Sequence, residues 1–398
     1  MTTRADSTAA PGAPAGLARA RAVRSDPRRV AEELRRSGTP VIGYLSVQLP
    51  LEILAAAGAA PLRIFGDIRE PVTEADRGLP AAFCPYMRSV LDLGLKGRLD
   101  FLDGFVLHHT CDAQEKTVRV LASLVSFPYT HFVDLPATTR EPAVHYFREQ
   151  LADFRDSLEA LTGTPVTRDA LEEAIALYNE QRRLVRELYR LKQPSPPLLT
   201  GRESLEVVTA VQTLPVREGN RLLREVLGEA RTRADRPAPK EVRLLLWGGV
   251  LHDPAYLDVI EAGGAHVVVD DLDEGLKPYL TDVAPGGDPL EALARRYLVG
   301  VYAARTFREA PQEAARRNRR ADLEARYGHL GRLVREWAVD GALLQAVRYC
   351  DPHGCEVVDV GDYLESLGVP SIYLEHDYTE GSLGPLRTRV EAFVETLA

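Results

Sequence analysis

Cysteine is scarce in this chain, with four in 398 residues, at positions 84, 111, 350 and 355. Thiols so few and so far apart make no disulfide framework, and a buried thiol acting as a small hydrophobe is the default reading of any one of them. No run of 18 uninterrupted apolar residues occurs, which argues against a membrane span. The opening "MTTRADSTAAPGAPAGLARARAVRSDPRR" lacks the apolar stretch of a signal peptide, so the expectation is a cytoplasmic protein with a frayed tail before its first helix. Positive charge is in deficit, at a net −9. An acidic surface repels a polyphosphate backbone, so general nucleic-acid binding is not expected, although a local arginine cluster for a small anion stays open. Arginine far outnumbers lysine, an excess read as genome base composition rather than a phosphate-binding role. The phosphate loop G-x-x-x-x-G-K-[ST] is missing, and Gly248-Gly249 after "LLLW" lacks the G-x-G-x-x-G spacing of a dinucleotide site. Any ATP chemistry is therefore assigned to a partner.

What is present is a chain of two-domain length with 45% apolar residues, ample for buried cores. Short apolar runs alternate with helical patterns: "TPVIGYLSV", "PLRIFG", "GFVLHH" and "THFVDLP" read as strands with helices between them. From about Val144 to Arg233 the pattern is helical. Leu171, Ala174, Ile175, Tyr178, Val185 and Leu188 form one stripe behind Thr167 as N-cap. Strands resume with "EVRLLLWGG", "AHVVVDD", "DGALLQAVRYC" and "PSIYLEHD". The expected organisation is an N-terminal tail and helix (1–39), a first α/β domain (40–143), a helical segment (144–236) and a second α/β domain (237–398), both sheets parallel.

The cysteines fall at particular joints. Cys84 precedes Pro85, which suits the first position of a helix. Cys111 stands between the "GFVLHH" strand and the "AQEKTVRVL" helix, and Cys350 ends a strand before a helix expected to start near Cys355. All four are thus expected at the carboxyl ends of parallel strands, beside helix N-termini, the edge where open α/β sheets bind ligands. Free N–H groups and the helix dipole are expected to favour anions there and to lower thiol pKa values. A thiolate-held iron–sulfur cluster suits that edge. A zinc site is the alternative: Cys350 and Cys355 are the one close pair, spaced C-x4-C rather than C-x2-C, with His109 or His353 as mixed ligands.

The stretches "PLEILAAAGAAPLRIFG", "LPAAFCPYMRSVL", "LDGFVLHHTCDA", "LYNEQRRLVREL", "LEALARRYL", "RYCDPHGCE" and "LRTRVEAFVE", from about Pro50 to the C-terminus, resemble the 2-hydroxyacyl-CoA dehydratase and benzoyl-CoA reductase family. The resemblance implies two Rossmann-like parallel-sheet domains with a helical insert between them. It also implies a [4Fe-4S] cluster in the interdomain cleft, held by three cysteines, which carry over onto Cys84, Cys111 and Cys350. The partners implied are a sister subunit of the same family, in a heterodimer or homodimer, and a separate ATP-hydrolysing iron–sulfur activator that injects one low-potential electron. The substrate implied is an acyl-CoA or a related small molecule. In the dehydratases that electron makes a ketyl radical of the thioester carbonyl, which expels the 2-hydroxyl; in the reductases electrons go to an aromatic ring. The expectation is a dehydratase-type subunit, with a ring-reducing subunit and a substrate-free electron-transfer subunit as alternatives.

Three departures from the family pattern leave the substrate open: Asp273 stands in "DDLDEG" where many relatives have a cysteine, "VGVYAART" replaces a Pro/Cys-containing stretch, and Cys355 is additional. Ser46, Glu52 and His109 are the candidate substrate contacts. Ser46 and Glu52 read more readily as an N-terminal capping serine and a first-turn glutamate placed for the helix dipole. His108 and His109 are candidates to hydrogen-bond a cluster sulfur or the substrate, and Arg387 and Arg389 read as a solvated helix face.

Overall fold

Short apolar runs punctuated by Gly and Pro become parallel strands, with helices crossing over between them. The protein is described by a computed structural model covering residues 15–45, 47–309 and 318–398. The order begins α1 (Gly16–Ser25), α2 (Pro27–Arg36), β1 (Val41–Tyr44), α3 (Leu51–Ala56), β2 (Ala60–Arg63), α4 (Pro85–Leu95), β3 (Gly104–His108), α5 (Asp112–Leu124) and β4 (Tyr129–Val133). Four helices follow: α6 (Glu141–Thr162), α7 (Arg168–Arg190), α8 (Gly201–Val211) and α9 (Val216–Thr232). The chain then continues through β5 (Val242–Gly248), α10 (Pro254–Ala262), β6 (Ala265–Asp271), α11 (Pro289–Arg295), a π-helical turn (Arg296–Gly300) and α12 (Arg319–Glu336). It ends with β7 (Gly341–Val347), α13 (Asp351–Ser366), β8 (Ser371–His376) and α14 (Leu383–Leu397). Among the described residues no helix is long and apolar enough to cross a membrane.

The two sheets repeat one topology, β2-β1-β3-β4 and β6-β5-β7-β8, with every neighbouring pair parallel. Every residue of β6 and β7 is buried, as expected of strands covered on both faces. In each sheet the winding direction reverses between two central strands, β1 and β3 in the first and β5 and β7 in the second. The carboxyl ends of such a pair open a crevice. One apolar cluster joins the sheets, running from Val90, Phe105 and Leu107 to Leu244, Leu246, Tyr256 and Leu343.

Between β4 and β5 the expected stripe on α7 is buried in full, and Thr167 caps that helix by accepting from the Ala170 N–H at 3.2 Å. Burial of Leu171, Ile175, Val185 and Leu188 contributes roughly 1.5–3 kcal/mol each. The N-terminal reading needs a correction. Residues 16–25, expected to fray, form α1, because Leu17, Ala20 and Val23 find a buried face. The Leu17 N–H donates to Glu229 at 2.9 Å, and Arg19 pairs with Glu225 at 2.9 Å. Gly16 makes that approach possible, since a Cβ there would stand 2.8 Å from the backbone nitrogen of Val226.

Candidate functional site

The two crevices face each other across a cavity of about 90 Å3. Val47 and Gln48 reach it from the loop after β1, Thr110 and Cys111 from the turn after β3, Gly249 and Val250 from the loop after β5, and Cys350 from the turn after β7. Cys84 joins them at the head of α4. One water needs roughly 10–15 Å3 on this measure, so several such bodies fit.

Three of the four thiols meet here, each as the N-cap of a helix: Cys84 on α4, Cys111 on α5 and Cys350 on α13. Pro85 takes the first position of α4, where its missing N–H costs nothing. The Cys111 sulfur accepts from the Gln114 N–H at 3.3 Å. Cys350 lies 3.5 Å from His353 Nδ1 and follows Tyr349, a non-glycine residue held at φ 61°, a conformation that costs a bulky side chain roughly 1–2 kcal/mol. Gly248 and Gly249 bear on the same corner: φ is +151° at Gly248, and a Cβ on Gly249 would stand 2.9 Å from His353 Nδ1. The Gly-Gly pair thus serves close packing beside Cys350.

The helix dipole does not win at these thiols. Burial raises Cys84 to about 12 against the pull of the Met87 and Tyr86 N–H groups, and raises Cys111 and Cys350 as well. Cys84 and Cys111 each push Cys350 up further, and Cys111 does the same to Cys84. The expected lowering holds for one thiolate at an open N-terminus; here three thiols share one desolvated space. Cys84 and Cys355 depart from the expected placement at strand ends: Cys84 caps α4, 21 residues beyond the end of β2, after a long irregular connection. Helix α13 starts at Asp351, so Cys355 lies inside it, exposed, and does not line the cavity.

The remaining candidates separate. Ser46 lies outside the described residues. Glu52 is fully buried away from the cavity, paired with the Arg182 guanidinium and accepting from the Tyr297 hydroxyl at 2.8 Å. The His109 ring meets Asp134 through Nδ1 at 3.0 Å and Arg305 through Nε2 at 3.3 Å. His108 is buried beside the Gln48 backbone, and burial lowers its pKa to about 3. Arg387 pairs with Glu391 on the exposed face of α14.

Two charged lining residues were not singled out as contacts. Arg305 donates to the carbonyls of His109 at 3.0 Å and Leu135 at 2.7 Å while lining the cavity. It sits in "VGVYAART", whose lack of periodicity gave no signal. Asp273, noted only as a replaced cysteine, also lines the cavity and pairs with Lys277 at 3.0 Å.

Among the described residues no group of three or more His, Cys, Asp or Glu side chains is placed to hold a single metal ion. A lone zinc draws its sulfurs to about 2.3 Å from one centre, whereas a cluster offers a separate iron to each sulfur. Three thiols carried on three helix starts around one cavity therefore fit the wider group.

Comparison with known proteins supplies the family. A subunit of benzoyl-CoA reductase from Thauera aromatica is 29% identical over 366 residues, covering 90% of each chain. The (R)-phenyllactyl-CoA dehydratase beta subunit of Clostridium sporogenes is 22% identical, covering 94% of this chain and 96% of that one. The beta subunit of (R)-2-hydroxyglutaryl-CoA dehydratase from Acidaminococcus fermentans is 23% identical, covering 94% and 97%. The family profile described as 2-hydroxyglutaryl-CoA dehydratase, D-component, matches residues 46–397, and the chain belongs to that family.

Proposed function

We propose that this chain is the [4Fe-4S] subunit of a 2-hydroxyacyl-CoA dehydratase-type enzyme, with Cys84, Cys111 and Cys350 as the cluster ligands. The observation that carries the reading is the meeting of three N-capping cysteines, two from the first sheet and one from the second, around one cavity. When bound, such a cluster supplies low-potential one-electron chemistry and, with three thiolates for four irons, keeps one iron free of protein sulfur. The chain's own residues do the rest. Backbone N–H groups at the helix starts face the sulfurs and stabilise their charge. Leu45, Val47, Val250 and Val347 give the cavity an apolar wall. Arg305, held by two backbone carbonyls, offers a fixed positive charge to a thioester oxygen.

In this reading residues 40–143 and 237–398 are the two sheet-bearing domains, residues 144–236 the helical insert, and the cysteine cavity the cleft. The relatives are named as subunits, which supports a sister subunit. The absence of a phosphate-loop motif from the sequence supports a separate ATP-hydrolysing activator, and a cytoplasmic setting suits both. A ring-reducing role is the second reading, supported by the 29% identity to a benzoyl-CoA reductase subunit, although a putative dehydratase subunit of Escherichia coli (strain K12) stands at 28%.

The test is anaerobic purification with a co-expressed sister subunit, followed by iron analysis of Cys84→Ala, Cys111→Ala and Cys350→Ala. Each variant should lose iron and turnover together while keeping its far-UV circular dichroism. Full iron content in any one of them removes that residue from the ligand set. Turnover of 2-hydroxyacyl-CoA against benzoyl-CoA, with activator and ATP, separates the two chemistries.

A further inference from the structure

Beyond the β1–α3 loop from the cysteine cavity lies a smaller one of about 40 Å3. Three guanidinium groups line it: Arg63 from β2, Arg182 from α7 and Arg296 from the π-helical turn. They are 4%, 3% and 5% exposed, and among the described residues no Asp or Glu lines the space with them. Arg182 is matched by Glu52. The other two bond to neutral acceptors among the described residues. Arg63 donates to the Asp273 carbonyl at 2.8 Å and the Gln212 side-chain oxygen at 3.4 Å, and its Nε has no partner. Arg296 donates to the carbonyls of Thr281, at 3.2 Å, and Pro278.

Nearby acids supply only part of the missing charge: Glu52 and Asp282 act on Arg296 from a distance, but neither carboxylate lines the space. The Asp273 carboxylate is bound to Lys277. Burial raises Glu274 to about 8, which keeps it largely protonated at neutral pH. Burial, helped by the charge on Arg182, lowers Arg296 to about 10. A guanidinium taken out of water without a counter-charge is costly, and an anion between two of them removes that cost.

We propose that Arg63, Arg182 and Arg296 form a binding site for a carboxylate group. The planar fork of a guanidinium matches a carboxylate with two parallel hydrogen bonds. Room for about three water-sized centres suits its three heavy atoms better than the five of a phosphate. The flat rings of Tyr44, Tyr279 and Tyr297 wall the space. The site does not depend on the cluster reading, since none of the cysteines lines it. It shares Val47 with the cysteine cavity, so the carboxylate has two sources: a free small acid, or the acid end of a longer ligand passing Val47.

The experiment is calorimetric titration of the anaerobically purified complex with formate, acetate, succinate and glutarate at constant ionic strength, with acetamide and chloride as controls. Saturable binding of formate or acetate assigns the site to free small acids. Saturation by the four- and five-carbon diacids alone assigns it to the end of a longer ligand. Arg296→Gln should weaken the binding by roughly tenfold or more, the scale of a lost charge-assisted hydrogen bond. Without added acid this variant should melt no lower than the parent, because it removes an unmatched charge. The proposal is overturned if acetamide or chloride binds as well as acetate, if none of the four acids saturates, or if Arg296→Gln leaves binding unchanged.

Discussion

Replacing Glu52 by Gln changes one buried atom and one charge, and its effect can be worked out from the surroundings. Glu52 is 0% exposed and Arg182 3%. The carboxylate bonds to that guanidinium and accepts from the Tyr297 hydroxyl at 2.8 Å. Arg182 keeps Asn179 at 2.8 Å and Tyr297 at 3.1 Å, so shape is preserved while the counter-charge is lost. Breaking a buried pair by removing one partner costs about 3–5 kcal/mol, because the remaining charge is left uncompensated. At about 2–4 °C per kcal/mol for a cooperative unit of 150–250 residues, the melting temperature should fall by roughly 6–20 °C. Glu52→Gln combined with Arg182→Met removes both charges and should recover much of the loss. Urea and thermal denaturation of parent, singles and double close the cycle. A loss below about 1 kcal/mol for Glu52→Gln, or a double variant no more stable than either single, refutes the reasoning. If the variant is as stable as the parent and loses only turnover, Glu52 is a substrate contact and not a structural anchor.

Cys355→Ser should keep full iron content, and Cys355 should be the first thiol labelled by iodoacetamide; loss of iron in that variant would bring it into the ligand set. Arg305→Gln should retain iron but lose turnover by about tenfold or more, the scale of one charge-assisted hydrogen bond; unchanged kcat/KM would remove Arg305 from the substrate's surroundings. Below pH 6.5 the protein should lose stability steeply. Burial lowers His108 and His252 to about 3 and His376 to about 4 from an ordinary 6.5, so the unfolded chain takes up protons that the folded one refuses. Each imidazole costs about 1.4 kcal/mol per pH unit in that window. Glu274, raised to about 8, has the opposite sign: its contribution is fully present below its unfolded value and lost as pH rises through 8, so it offsets one of the three. Urea midpoints flat between pH 6.5 and 5 would contradict this. Turnover of an acyl-CoA by the isolated chain without ATP or activator should not occur, and a spectrophotometric assay that detected it would place the energy source within this polypeptide.

Much of the fold was legible because its signals are local. "RLLLW" and "HVVVDD" are too short and apolar for surface helices, and they became β5 and β6. Cys84 before Pro85 and Cys111 before "DAQEK" read as helix starts from neighbouring residues alone. What stayed hidden depends on partners distant in sequence. Helix α1 exists because Glu225 and Glu229 on α9 receive it. Glu52 looked like a first-turn helix glutamate, and only the approach of Arg182, 130 positions away, makes it half of a buried pair. The thiols were read one at a time, so the loss of the dipole's advantage when three share one dry cavity was not visible. Arg305 lies on an irregular segment, where periodicity is silent.

The attachment of the thiols also bears on how the molecule would come apart. Cys84 and Cys111 hang from the first sheet and Cys350 from the second. In the proposed reading, a body bound to all three would act as a rivet through the seam, fixed twice on one plate and once on the other. Losing it need not unravel either plate, since each keeps its own strand pairing. The seam would slacken first at its cysteine edge, while the apolar cluster that joins the sheets keeps them in contact. Early damage should therefore register as faster amide exchange at the starts of α4, α5 and α13, while the strands behind them stay protected.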